Sequence, residues 1–317
     1  MELRAVFLGT PDFAIPSLKA LLQARAEFDV VGVFTQPDRP SGRGLKLMAS
    51  PVKRAAQAAS LRVFQPARIR GNEEALKLMR RLRPDIAVVV AFGQILPPDL
   101  FSIPGLGCIN VHASLLPAYR GAAPVAHAIW NGERVSGVTI MRIDEGMDSG
   151  DILAQEETPI GPDMTAAELG QIMALRGAQL LIPTLIAYAA GRLEPQPQDH
   201  LRATRAPMLT RNESAIDWSG PASRVHNQVR ALNPRPVAFC TLGPDRLKVW
   251  RSRLVADAEP VSVEPATVTM AGPDQLHVAC GDGRLVALEE VQLPNRRRTA
   301  ARDFLNGVEL KVGDRLG

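Results

Sequence analysis

At 317 residues the chain exceeds what one hydrophobic core normally serves, so two domains are expected. A content of 46% hydrophobic and 22% charged residues fits a soluble globular protein. The net charge of +4, with a sequence pI of about 9.2, is too mild an excess to mark a polyanion-binding protein, so local clusters of Arg and Lys must carry that question.

Arg4–Gly9 (RAVFLG) reads as a short buried strand. The spacing of Leu18, Leu21 and Leu22 after Thr10-Pro11-Asp12 predicts a helix. Strand, turn and helix invite a dinucleotide site, but no further glycine completes G-x-G-x-x-G after Gly9, which counts against a nucleotide-dependent oxidoreductase. Asp29–Phe34 is a second strand, and Ile86–Phe92 (IAVVVAF) is a third, too continuously apolar for a sheet edge. Helices are expected near Pro51–Ser60 and Asn72–Leu82. This alternation predicts an α/β domain, an open and mostly parallel sheet with helices on both faces, whose ligands sit beyond the carboxyl ends of strands. Between the second strand and the next helix, Thr35–Leu47 (TQPDRPSGRGLKL) is a Pro- and Gly-rich irregular loop carrying Arg39, Arg43 and Lys46. Its chemistry leaves two readings open, a solvated surface loop or an arm that contacts phosphates.

The densest pattern runs from Gly107 to Asp151. Cys108–His112 (CINVH) alternates apolar and polar residues, so a strand would project Asn110 and His112 on one face, about 6–7 Å apart. A carboxamide beside an imidazole at a strand end is a candidate oxyanion-stabilising pair. The strand stops at Ser114-Leu115-Leu116-Pro117, and the Gly-rich acidic loop Asp144–Asp151 follows farther on, where an Asp could orient or charge the histidine. Taken singly, each of these is more often a polar strand face or a solvated turn.

Thr165–Gly191 has helix-spaced Leu169, Ile172, Met173, Leu180 and Leu181, giving a helix or two with Pro183 as kink or boundary. Arg192–Pro207 is Pro-rich, polar and unpatterned, and reads as a linker between a domain of residues 1–191 and one of 208–317. In the latter, Pro221–Ala231 looks helical. Short strands follow at Val237–Leu242, Arg246–Trp250, Thr267–Met270, Leu276–Ala279 and Leu285–Glu290, with turn signals at Gly243-Pro244-Asp245, Gly272-Pro273-Asp274 and Gly281-Asp282-Gly283. That texture suggests a small β-barrel, OB-like in size, a type that often binds oligonucleotides. Arg296-Arg297-Arg298 offers either a phosphate contact or a solvated loop.

Cys108, Cys240 and Cys280 are odd in number and far apart, and neither C-x-x-C nor H-E-x-x-H occurs, so neither a disulfide framework nor a zinc site is indicated. Cys108 reads as a small core residue. The opening MELRAVFLGTPDF has no signal-peptide h-region, and no apolar run approaches the ~20 residues that span a bilayer, so a cytoplasmic protein is expected.

In order, N-x-H-x-S-L-L-P, R-G-A-x-P and D-x-G-x-D-x-G-D resemble the folate-dependent formyltransferases. V-F-x-G-T-P-x-F, T-Q-P-D-R-P-x-G-R-G, A-F-G-Q-I-L-P, I-D-W and N-P-x-P extend the resemblance over nearly the whole chain, to the branch of that family acting on initiator methionyl-tRNA. The resemblance implies a Rossmann-like formyltransferase fold with a C-terminal tRNA-binding barrel. It also implies 10-formyltetrahydrofolate as co-substrate with no metal, and a monomer. It assigns catalysis to Asn110, His112 and Asp148, the folate site to Ser114, Leu115, Leu116 and Pro117 with Ile95 and Leu96 on the pterin wall, and tRNA contacts to Arg39, Arg43 and Lys46. Leu45 departs from the pattern, since relatives often carry a basic residue there. Attack of an amine on a formyl amide builds negative charge on the formyl oxygen, which the Asn110 amide and a His112 N–H could meet. A sibling enzyme acting on a small amine would share the core but lack the loop and the barrel. A non-catalytic RNA-binding module has no reason to hold Asn, His and Asp in this order.

Overall fold

The computed structural model describes residues 2–41, 46–256, 258–272 and 274–317, which leaves Arg43, Leu45 and Pro273 outside the described residues. The chain divides into two compact units of interleaved sequence. The first holds Met1–Gly121, Ser136–Thr158 and Gly170–Arg205, and the second holds Ala122–Val135, Pro159–Leu169 and Ala206–Gly317.

The first unit is built on a sheet. Strand β1 (Leu3–Gly9) is buried from Ala5 onward, as a strand covered on both faces must be. Helix α1 (Ile15–Gln23) carries the chain to β2 (Phe28–Phe34), which pairs with β1 in parallel. Where an irregular loop is expected, β3 (Arg39–Ser41) and β4 (Lys46–Met48) form a two-stranded hairpin. Strands this short show no period in sequence. Ser50 caps α2 (Pro51–Ala58) by accepting from Lys53 N at 3.0 Å, and Pro51 fills the first turn. After β5 (Val63–Phe64), Asn72 caps α3 (Glu73–Leu82), with Glu73 and Glu74 in its first turn and Arg80 and Arg81 in its last, both matched to the helix dipole. Strand β6 (Ile86–Val90), buried throughout, lies on the far side of β1, and α4 (Pro98–Phe101) leads to β7 (Cys108–His112). Helix α5 (Pro124–Trp130) belongs to the second unit. Strand β8 (Val135–Arg142) runs antiparallel to β7, and β9 (Ile152–Pro159) forms the edge.

The strand order is β5-β2-β1-β6-β7-β8-β9, parallel from β5 to β7. Chain direction across the sheet reverses between β1 and β6, and this topological switch is where doubly wound sheets open a crevice at their carboxyl ends.

Helix α6 (Ala166–Ala189) is one unbroken helix despite Pro183. The Thr184 hydroxyl donates to Leu180 O at 2.6 Å, beside the point where proline lacks an N–H. At 24 residues α6 reaches the length and apolarity of a membrane span, which corrects the expectation that no run does so. It serves as a core helix: Met173, Leu181 and Leu185 are fully buried, and Gly177 lies against Val111 and Val138 of the sheet. Of residues 192–207, expected as a linker, 192–205 are part of the first unit, with Gln196 and Ile152 exchanging two backbone hydrogen bonds at 2.8 Å.

In the second unit Pro221 starts α7 (Ala222–Ala231). An antiparallel sheet follows from β10 (Ala238–Leu242), β11 (Asp245–Leu254), β12 (Val268–Ala271), β13 (Leu276–Ala279) and β14 (Leu285–Gln292), with β15 (Thr299–Ala300) on β14 and a short α8 (Ala301–Leu305) after it. Its order is β10-β11-β14-β13-β12. The sheet curls around a core that includes Val225, Val229, Leu247, Val249, Val278 and Val286. This is the small barrel-type domain that the strand spacing predicts.

Candidate active site

Strand β7 sits next to β6 in register, with Val89 opposite Asn110, so the A-F-G-Q-I-L stretch leaves β6 at the sheet end where Asn110 and His112 stand. The switch is tied down by Thr10, whose hydroxyl donates to Phe92 O at 2.8 Å, and by Gln36, whose amide donates to Gly93 O at 3.1 Å.

His112 is buried, and both its ring nitrogens face acceptors. Nε2 is 3.0 Å from Tyr119 O, which can only accept, so Nε2 carries a hydrogen. Nδ1 lies 3.7 Å from Asp148 Oδ2. The Asp148 carboxylate keeps 20% of its surface open and also accepts from Gly121 N at 2.8 Å. Asn110 is half-buried, and its carboxamide has no hydrogen-bond partner among the described residues. His112 thus has one ring nitrogen hydrogen-bonded, to Tyr119 O, and the other facing Asp148 beyond hydrogen-bond distance. Sequence cannot reveal that a backbone carbonyl from the following turn lies at Nε2.

The Ser114–Pro117 segment folds back on β8. The Ser114 hydroxyl donates to Ala118 O at 2.6 Å, and Thr139 Oγ1 donates to Ser114 O while accepting from Leu116 N. Gln155 Nε2 donates to Leu116 O and to Thr139 Oγ1, both at 2.9 Å. Leu115 lies over Gly137, where any side chain would collide with it. Ser114 and Leu116 are thus buried supports, and Leu115 and Pro117 are the partly open members. On the neighbouring strand end, Ile95 is 72% exposed and Leu96 is partly buried against the core.

The formyl transferase family model matches residues 3–185, and its C-terminal domain model matches 208–309. A methionyl-tRNA formyltransferase of Synechococcus sp. (strain JA-3-3Ab) is 48% identical over 99% of this chain and 98% of its own. That of Solibacter usitatus is 47% identical over 99% of both chains. The chain belongs to the methionyl-tRNA formyltransferase family. Solved structures share the formyltransferase fold at lower identity. WlaRD, a sugar 3N-formyl transferase, aligns with a TM-score of 0.67 at 19% identity over 93% of this chain and 99% of its own. HypX from Aquifex aeolicus, in complex with tetrahydrofolic acid, aligns at 0.64 and 16% over 99% of this chain and 50% of its own.

Of the basic residues in the loop of this formyltransferase, Arg39 is exposed on β3 and donates from Nη2 to Gln36 Oε1 at 3.1 Å, Lys46 opens β4, and Arg43 is outside the described residues. Asp38 anchors the hairpin through Lys53 at 2.7 Å and Gln65, and the Lys53 ammonium holds its carboxyl below the usual range. Arg296, Arg297 and Arg298 are all exposed; Arg298 also pairs with Glu290 and lies 5.0 Å over the Trp250 ring. Sequence reasoning missed Thr139, Gln155, Arg120 and Gln198. The first two stand on strands that carried no motif, and Gln198 sits in the segment read as a linker.

Proposed function

We propose that the chain transfers a formyl group from 10-formyltetrahydrofolate to the amino group of methionine on initiator methionyl-tRNA, giving N-formylmethionyl-tRNA for translation initiation. The observation carrying this reading is identity of 43–48% over almost the full length to proteins named methionyl-tRNA formyltransferase. An exposed apolar side chain, Ile95, stands by a strand end that offers the unpartnered Asn110 amide. In the transfer, the neutral amine attacks the formyl carbon, and the bond from that carbon to the folate nitrogen breaks. The amine gives up one proton and the leaving nitrogen gains one. Asn110 supplies an N–H to the formyl oxygen as it gains charge, worth roughly 3–4 kcal/mol in comparable oxyanion sites. The Asp148 carboxylate, partly open and beside His112, takes the proton of the amine directly or through one water. Leu115 and Pro117 with Ile95 and Leu96 form the folate wall. Residues 208–317, with Arg39, Arg43 and Lys46, hold the tRNA. The enzyme acts as a monomer in the cytoplasm, where charged tRNA is used.

A transfer assay tests this. 10-Formyltetrahydrofolate is offered with charged initiator tRNA, free methionine, uncharged tRNA and an amino-sugar nucleotide. Formylation of charged tRNA alone is expected; transfer to the sugar but not to tRNA would overturn the assignment.

A further inference from the structure

Asp148 has a φ of 51°, in the left-handed region that a non-glycine residue enters only when its surroundings hold it there. What holds it is a side chain from the segment 192–207. The Gln198 amide is buried to 6% exposure and donates from Nε2 to Asp148 O at 3.0 Å and to Gly150 O at 2.7 Å. Its Oε1 accepts from Arg120 Nε at 3.1 Å and Nη2 at 2.6 Å. The orientation of the amide is unambiguous on chemical grounds: a guanidinium only donates and a carbonyl only accepts, so the oxygen must face Arg120 and the nitrogen must face the loop. The next residue, Gly121, gives its N–H to the Asp148 carboxylate. The Arg120-Gly121 dipeptide therefore grips Asp148 twice, at the carboxylate directly and at the backbone through Gln198.

We infer that Gln198, oriented by Arg120, is a positioning residue for formyl transfer: it holds the left-handed turn at Asp148 so that the carboxylate faces His112. This rests on the reading that Asp148 acts in the reaction. Removing the two donors leaves two carbonyls of a tight loop without partners, and the loop relaxes away from its strained conformation. A shift near 1 Å in a reacting group costs on the order of 100-fold.

The test measures kcat and KM for both substrates in Gln198→Leu, Asp148→Asn and the double variant. Folding is checked by thermal melting. Gln198→Leu should lower kcat about 100-fold with little change in either KM. In the Asp148→Asn background it should add almost nothing, since both changes remove one carboxylate function. Gln198→Glu keeps the volume and the Arg120 contact but turns an oxygen toward the two carbonyls. Its activity relative to wild type should recover as acidification protonates that carboxyl and restores one donor. If Gln198→Leu does not fold, this pH recovery decides the matter. Full activity in Asp148→Asn would remove the underlying reading. A crippled Asp148→Asn combined with normal Gln198→Leu, with additive losses, or with a flat pH ratio for Gln198→Glu would overturn the positioning role alone.

Discussion

Single side chains of one type have been given different work by their surroundings. The Asn110 carboxamide has no hydrogen-bond partner among the described residues, so Asn110→Ala is expected to lower turnover about 100- to 1,000-fold in the transfer assay with the fold intact. Asp148→Asn preserves shape and loses the charge facing His112, and should cost a similar factor. Near-normal turnover in a folded Asp148→Asn protein would take the carboxylate out of the mechanism. Cys108, Cys240 and Cys280 show the opposite case. All are buried and free, and burial pushes each thiol up to about 12, which leaves almost no thiolate at neutral pH. Iodoacetamide at pH 8 should leave the native protein unlabelled and modify all three cysteines after unfolding in guanidinium.

Among elements, α6 offers a paired comparison. A Cβ at Gly177 would stand 2.8 Å from Val111 and 3.1 Å from Val138, whereas one at Gly170 would meet nothing within 4 Å. Alanine is favoured over glycine in a helix by about 1 kcal/mol, and overpacking a core costs roughly 1–3 kcal/mol. Gly170→Ala should therefore raise the melting temperature and Gly177→Ala should lower it. If both raise it, the helix is looser on the sheet than its packing indicates. Helix α7 carries the second case. Burial holds the His226 imidazole below the usual value of 6.5, with Arg230 acting the same way and the Pro162 carbonyl, Asp163 and Glu289 opposing. The ring pairs with Pro162 O and Ser252 Oγ, each at 2.9 Å. A folded value below the unfolded one means that the unfolded chain binds more protons, so stability is full above pH 6.5 and is lost as pH falls below it toward the lowered value. His277, also lowered by burial, acts in the same direction. Thermal melts between pH 8 and 5 should show a smaller acid loss in His226→Gln than in wild type; parallel curves would contradict this.

For the whole chain, the interleaving of the two units changes what truncation should do. In the second unit, α5 packs on α7, Trp130 joins the barrel core, and Arg230 reaches the Gly161 carbonyl. A chain ending at Arg205 strands α5 and residues 159–169 without these partners and should aggregate or melt well below the full protein, although Asn110, His112 and Asp148 all precede the cut. A soluble, stable fragment would show that those pieces fold without the barrel. Binding of tRNA brings phosphates and folate does not, so tRNA affinity should fall steeply with salt while folate affinity changes little. Arg39→Ala and Arg43→Ala should each weaken tRNA use and reduce the salt slope by about one; an unchanged slope for both would mark the basic segment 35–47 as a solvated surface.

Sequence alone determined the α/β class, β1, β2, β6 and β7, and nearly every strand of the barrel, because each of these rests on a local signal: apolar runs, a period of two and Gly-Pro turns; the family came from motifs matched in order, such as N-x-H-x-S-L-L-P. It also put Asn110 and His112 on one strand and Asp148 in an acidic glycine loop. What it could not supply was pairing across long stretches of chain. Strands β3 and β4 were too short to have a period, and α6 was too evenly apolar to announce one continuous helix through Pro183. The segment 192–207 has the composition of a linker, yet a single buried amide in it, from Gln198, bonds two carbonyls roughly fifty residues back in the chain. Likewise, only tertiary structure placed Tyr119 O on His112 Nε2. Composition records which groups a segment carries. Which of them become buried and paired depends on what the folded chain brings against them, and burial makes an unpaired polar group costly.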